Sequence, residues 1–536
     1  MGEGREIPDS WIICPIQEIG SIQTGTTPSK SNLAFYSKDY PFYKPTDLEA
    51  GINVNTSTDG LSDLGIKEAR YVVENSTLVT CIGATIGKTG LIRRGGGFNQ
   101  QINSITPYSL INPKYIYFQA ISHNFQSQIF KNASATTLPI LNKGRFEILE
   151  MAIAPLPEQH RIVAKIEELF SSLDKGIESL KTAQQQLEIY RQAVLGKAFE
   201  GAFTTNWRKE HPNADANKEF ETIKELREEL YKQKIEEWTL ACEQAKVKGT
   251  KKPAKPKKPY AGETVTEEER ANFDVIDKSW ALVRFIDLIK YEEDAIKRGP
   301  FGSAIKKSFF VPSGYKVYEQ QNAISDDATL GKYYISDEKY QELIGFSIKP
   351  GEYIVSCSGT IGRISKLPEN CEPGVINQAL MKIRLDEELL SSKYFLYLFR
   401  SEVFQRRILT GSRGTGMQNL AGIDEIKQLI IALPPKAEQE AIVLDIESRL
   451  SVCDKIEESI STSLLQAEVL RQSILKKAFE GKLVEQDAND EPASKLLERI
   501  KSEKEKIAAE QRNVNNKKNS KTIIAPSGRY KNNNHG

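Results

Sequence analysis

The chain of 536 residues contains itself twice. Residues 157–201 and 437–481 align without a gap at a constant offset of 280, and 22 of 45 positions are identical. The identities run from Glu158-Gln159 and Glu438-Gln439 through to Ala198-Phe199-Glu200-Gly201 and Ala478-Phe479-Glu480-Gly481. Solenoid repeats have periods of about 20–50 residues, so this one is far too long to be such a unit. It reads as two copies of a whole domain with its helix, which suggests something recognised in two halves.

Shorter echoes extend the repeat. Asp9-Ser10-Trp11 is matched by Lys278-Ser279-Trp280, and Gly83-Ala-Thr-Ile-Gly87 by Gly359-Thr-Ile-Gly362. Asn99-Gln100 is matched by Asn377-Gln378, and Lys114-Tyr115 by Lys393-Tyr394. The offset drifts between these anchors and the intervening sequence differs, so a scaffold is duplicated while its loops have diverged.

Each copy has two parts. The first is rich in Gly, Ser, Thr and short β-branched runs. Residues 78–82 and 353–357 read as strands that end at glycine, and 114–130 and 393–409 as helices. The second part is helical. Prolines at 155 and 157, and at 434 and 435, suit a helix start. Ile162, Ile166, Leu169, Leu173, Leu180, Leu187 and Val194 then fall near a 3.5-residue spacing. Ile442, Ile446, Cys453, Ile460, Ala467 and Ile474 repeat it, which is a coiled-coil seam. Helices of roughly 38 residues would span about 57 Å, with Gly176 a mild weakness in the first.

The expected fold class is α+β: two globular domains alternating with two long α-helical coiled-coil regions. The expected divisions are a first globular domain over 1–156 and its helical region over 157–203. A helical linker segment follows over 204–276, with a Lys/Pro-rich stretch at 246–259 that should be extended and solvated. The second globular domain takes 277–435 and its helical region 436–483. A C-terminal helix over 484–514 and a disordered tail over 515–536 complete the chain.

Lysine and arginine total 73 against 72 aspartates and glutamates. That balance argues against a polyanion binder working through net charge alone, but not against a local basic groove. No apolar run is long enough to span a membrane. The start, Met1-Gly-Glu-Gly-Arg-Glu, lacks an apolar signal core. The six cysteines form no C-x-x-C pair and there are four histidines, which argues against zinc. Scattered free thiols point to the cytoplasm.

Two motifs suggest chemistry and are better explained by backbone geometry. Gly83 to Thr89 resembles a phosphate-binding loop but is one residue short and lacks a following helix. A strand-turn-strand with glycines at positive φ accounts for it. Asn112-Pro113-Lys114-Tyr115 resembles an adenine methyltransferase motif, yet a helix start with Asn as cap and Pro at the first position explains it. No catalytic or metal-ligating constellation emerges.

Polar side chains near the anchors are candidates for contact with nucleic acid, because Gln, Asn, Lys and Arg read base edges and phosphates. In the first copy these are Lys30, Lys44, Thr46, Lys88, Asn99 and Gln100. In the second they are Lys306, Lys307, Tyr318, Gln320, Gln321, Arg363, Asn377, Gln378 and Arg413.

Taken together, the Trp after a polar lead, Thr24-Gly25-Thr26-Thr27-Pro28, the Gly-Thr-Ile-Gly turn and Asn-Gln form a pattern. With Pro434-Pro435-Lys436-Ala437-Glu438-Gln439 and the Arg-Gln…Lys-Ala-Phe-Glu-Gly helix end, it resembles the specificity subunit of type I restriction–modification enzymes. The resemblance covers residues 8 to about 512. It implies a non-catalytic subunit whose recognition domains each read half of a bipartite double-stranded DNA target. It further implies two modification (methyltransferase) subunits and added restriction (endonuclease/translocase) subunits as partners. S-adenosylmethionine, ATP and Mg would sit on those partners, with no cofactor on this chain and no membrane. By this resemblance the domains over 1–156 and 277–435 would be the target recognition domains, and the helical regions over 157–203 and 436–483 the spacers, packed as an antiparallel coiled coil that sets the spacing and docks the methyltransferases. The residues expected to do so are Glu158, Gln159, Ile162, Ile166, Arg191 and Phe199, with Glu438, Gln439, Ile442, Ile446, Arg471 and Phe479. A coiled-coil adaptor that binds proteins and no DNA is the alternative, and binding to duplex DNA in the presence of the methyltransferase partner separates the two.

Overall fold

A computed structural model describes residues 7–134, 138–256, 258, 262–273, 277–410 and 419–505. The chain divides into two compact units, residues 1–181 with 460–536, and residues 182–459. Each unit holds one β-rich domain, part of the helix that follows it and part of the other long helix.

In the first unit, strand Ile12–Pro15 pairs antiparallel with Glu150–Ile153, which leads directly into a long helix. An antiparallel sheet runs in the order Gly20–Thr24, Ile102–Pro107, Thr77–Thr80, Thr89–Leu91. A second sheet runs Asp59–Leu61, Tyr40–Tyr43, Gly96–Phe98, Tyr71–Val72 and contains one parallel pair, with Phe42 opposite Gly97. The core joins Val79, Ile105, Tyr115 and Ile116 to Ile162, Ile166 and Phe170 of the first long helix. Ile474, Leu475 and Phe479 of the second long helix close it, with Leu496, Leu497 and Ile500 of a helix over 493–505.

The second unit repeats the plan. Ala281–Arg284 pairs with Ile430–Leu433. One sheet runs Ile296–Arg298, Leu380–Ile383, Tyr353–Ser356, Ile364–Lys366. The other runs Phe310–Val311, Tyr334–Ile335, Tyr315–Tyr318, Gly374–Ile376, Ser347–Ile348, again with one parallel pair, Val317 opposite Val375. Helix Ala216–Lys248, capped by Asp215, packs Phe220 and Ile223 on this core. Its Arg227 reaches Asp386 at 2.5 Å.

Three expectations change in detail. The helix expected over 114–130 is two helices, Pro113–Ala120 and His123–Asn132. The Ser122 hydroxyl donates to the Gln119 carbonyl and accepts from the Phe125 N–H, ending one helix and capping the next. Ser401 does the same between Ser392–Arg400 and Glu402–Ile408. The Lys/Pro stretch has no regular structure over 251–256, but it is not free in solvent. Trp238 donates its indole N–H to the Pro253 carbonyl at 2.9 Å, and the Lys252 ammonium sits 4.9 Å from the Trp238 ring.

The long helices, Leu156–Phe199 and Lys436–Phe479, have 44 residues each, about 66 Å at 1.5 Å per residue. They exceed the expected length because the Lys-Ala-Phe segment stays helical, up to Gly201 and Gly481 at φ +72° and +71°. They run antiparallel within each unit. In the first, Arg471 pairs with Asp174 and lies 4.5 Å from the Phe170 ring. In the second, Arg191 pairs with Asp454 at 2.7 Å and Glu457 at 2.8 Å. Asp174 and Asp454 are repeat equivalents, as are Arg191 and Arg471, so one contact is made twice. Gly176 faces open space, which is why the helix tolerates it.

Candidate nucleic-acid interface

The repeated anchors turn out to be contacts between a β-rich domain and the long helix that follows it. Trp11 Nε1 donates to Glu158 at 3.0 Å, and Trp280 Nε1 donates to Glu438 at 2.9 Å. Gln159 Oε1 accepts from the Asn112 N–H at 3.0 Å, and Gln439 Oε1 from the Ser391 N–H at 2.7 Å. All four helix residues are buried. Burial pushes the Glu158 carboxyl above its ordinary value, although hydrogen bonds from Trp11 and Gln486 oppose this. Ile162, Ile166, Ile442 and Ile446 lie in the cores, while Phe479 meets Tyr115 and Phe199 meets Tyr394 edge-on. The expectation that these residues dock a partner is therefore corrected: Glu158, Gln159, Glu438, Gln439 and the four isoleucines are consumed by the β-rich domain that precedes their own helix, while Phe199 and Phe479 pack on the other one. Arg191 and Arg471 join the two helices to each other.

The glycine turns are equally structural. Gly87 at φ +88° and Gly362 at φ +78° connect strands, and their carbonyls accept from Gln126 at 2.9 Å and Gln405 at 3.0 Å. A side chain at either glycine would collide with that glutamine. Lys88 turns away to Glu49 at 2.7 Å.

The surface at the Asn-Gln turns is different. Gly25 donates its N–H to the Ile102 carbonyl at 3.0 Å and presses on the Asn99 carbonyl oxygen so closely that no Cβ would fit. Gly299 does the same with the Leu380 carbonyl, at 2.8 Å, and with Asn377. The loop after each unit's first sheet strand is thereby seated on the turn that joins its two sheets. Asn99 and Asn377 spend their side-chain oxygens on backbone N–H groups two residues on. They hold the turn, while the neighbouring Gln100 and Gln378 are exposed.

The remaining candidates scatter. Lys30, Thr46, Lys306, Lys307, Gln321 and Arg363 are exposed, and the Lys306, Lys307 and Arg363 side chains have no partner among the described residues. Lys44 is tied to Asp59. Gln320 is half-buried, and its Oε1 has no hydrogen-bond partner among the described residues. Arg413 lies outside the described residues. Tyr318 is corrected: it is 0% exposed and its hydroxyl donates to the Glu372 carbonyl at 2.7 Å. Burial drives its phenol well above the ordinary range, so it offers nothing to a base edge. Sequence reasoning missed Phe301, which is 90% exposed beside Gln378. Its signal was an aromatic residue enclosed by glycines in Gly299-Pro300-Phe301-Gly302. It also missed Thr204 and Arg208, which complete the Glu438 site at 2.6 Å each.

Comparison with known proteins agrees with this duplicated scaffold. The family model for the type I restriction modification DNA specificity domain matches residues 8–188 and 299–466, one stretch in each copy. The chain is 22% identical over 526 residues to the EcoKI specificity subunit of Escherichia coli (strain K12), covering 94% of this chain and 97% of that protein. It is 22% identical over 522 residues to the StySPI specificity subunit of Salmonella potsdam, again covering 94% and 97%. A solved chain from work on complex assembly and conformational transition of the type I R-M system has a similar fold. Its TM-score is 0.57 at 15% identity, and the match covers 89% of this chain and 99% of that one. Family matches over well more than half of the sequence, on a scaffold repeated contact by contact, mean that the chain belongs to the type I restriction–modification DNA specificity family.

Proposed function

We propose that this chain reads a bipartite double-stranded DNA target, one half-site per recognition domain, with the long helices setting the spacer. It is the DNA specificity subunit of a type I restriction–modification system, which is the non-catalytic member. S-adenosylmethionine and ATP belong to the other subunits. In our reading it assembles with two modification subunits that methylate adenine and with restriction subunits that use ATP and Mg, in the cytoplasm. No helix among the described residues is long and apolar enough to cross a membrane. The recognition domains are assigned to 1–156 and 277–435, and the spacers to 157–203 and 436–483.

One observation carries this reading. The two copies keep the same buried contacts while the exposed side chains around the Asn-Gln turns differ, as two readers of different sequences require. In this reading Gln100 and Gln378 meet base edges, and Lys30, Lys306, Lys307 and Arg363 meet phosphates; their exposure supports it. The methyltransferase dock is assigned to outward apolar positions of the helices, such as Leu465 and Val469, which are 72% and 70% exposed. Exchanging residues 11–155 for another such domain should change one half-site of the methylated motif and leave the other. A change in both halves would sink the proposal.

A further inference from the structure

Phe301 is the most exposed aromatic side chain among the described residues. Single exposed apolar residues are ordinary, but this one is held out by a seated loop. A Cβ on Gly299 would strike the Asn377 carbonyl oxygen, and one on Gly302 would strike the Gln378 amide. The loop therefore lies against the Asn377-Gln378 turn at both ends, with Phe301 between them. The Gln378 side chain makes no hydrogen bond among the described residues, so both its donor and its acceptor remain available. Lys306 and Lys307 follow a few residues on, exposed and unpaired among the described residues.

The first unit makes the opposite choice at the equivalent point. Thr27 stands two residues after Gly25, as Phe301 stands two after Gly299. Its hydroxyl donates to Gln100 Oε1 and commits that acceptor. One position on a shared loop thus carries either a hydroxyl that orients the glutamine or an aromatic that leaves it free.

Resting on the DNA-reading role proposed above, we propose that Gln378 and Phe301 together read an A·T step in the second half-site. Gln378 pairs bidentately with adenine N6 and N7, and Phe301 packs on the 5-methyl group of thymine in the neighbouring pair. The flanking lysines hold the phosphates that set this register.

The test uses the full complex with modification subunits. The motif methylated by the wild type is mapped first, and then the motifs of Phe301→Ala and Gln378→Ala. The expected result is that Phe301→Ala relaxes a thymine and Gln378→Ala relaxes an adjacent adenine, both in the second half-site, with unchanged melting temperatures. In a binding assay, uracil in place of that thymine should weaken the wild type about fourfold, the worth of one buried methyl group at ~0.8 kcal/mol. The same replacement should leave Phe301→Ala unaffected. Equal uracil effects in the two proteins, or an unaltered Phe301→Ala motif, overturn the inference while DNA reading stands. Loss of co-purification with modification subunits in Phe301→Ala overturns it too, by making Phe301 a protein contact. If the wild type yields no bipartite motif, the DNA-reading role itself fails, and this inference with it.

Discussion

Glu438 is a buried carboxylate with three donors on it: the Trp280 indole, the Thr204 hydroxyl and the Arg208 guanidinium. Neutralising it leaves the largely buried Arg208 with Asp277 alone, at 3.2 Å, so Glu438→Gln should cost about 1.5–3 kcal/mol. Hydrogen exchange of the second unit's amides would localise that loss. Its repeat equivalent, Glu158, accepts only from neutral Trp11 and Gln486 side chains, while Arg161 goes to Asp490. Glu158→Gln should therefore cost about 1 kcal/mol or less, and equal costs at the two sites would contradict this account. Lys382 gives a pH signature in the second unit. It is buried, donates to the Ser347 carbonyl at 2.7 Å, and burial lowers its pKa from 10.5 to about 8. Between those values the unfolded chain holds the proton that the folded chain has released, so stability rises with pH across that window. Below pH 8 both states are protonated and the destabilisation is complete. Lys382→Met should be more stable than wild type at pH 7, and the difference should shrink toward pH 10.5. A constant difference across that range would show that the lysine is not the titrating group.

At the level of elements, much was legible and the reasons are specific. The seam positions Cys453, Ile460, Ala467 and Ile474 are buried, because a 3.5-residue period allows little else. The anchors Trp11, Glu158 and Gln159 stood out as repeated residues, but their pairing needs a chain reversal of some 147 positions, which no local pattern encodes. Tyr318 was misread because Tyr315–Tyr318 is an interior strand with Val317 and Tyr318 buried in different clusters, one on each face. Alternation then carries no information about exposure. The helices also yield a prediction. Inserting seven residues into both, beside Lys181 and Ser459, adds about 10 Å and nearly whole turns. The half-site sequences should persist with a spacer longer by about three base pairs at ~3.4 Å each. An unchanged spacer in the methylated motif would remove the helices' role as its determinant.

For the molecule in its assembly, the question is which surface a partner can use. Most of the helix residues first expected to serve are committed to the cores, and Arg191 and Arg471 to the pairing of the helices, yet the helices still present large apolar side chains to solvent. Leu465, Val469 and Leu470 in the first unit are 72%, 70% and 50% exposed, and Leu444 and Val452 in the second are similarly open. Leu465 and Val469 stand four residues apart, on one face of the helix. Paired charges there cost the isolated chain little, since neither side chain is buried. Leu465→Asp with Val469→Asp should therefore leave the melting temperature within about 2 °C of wild type, which is the scale of half a kilocalorie for a chain of this size. The same variant should lose co-purification with the modification subunits, because a desolvated aspartate in an apolar interface has no partner. Ile162→Asp, placed in the core, should instead lower the melting temperature and lose assembly only as a consequence of unfolding. If the surface variant still assembled at wild-type affinity, the dock would have to lie off this face of the second long helix.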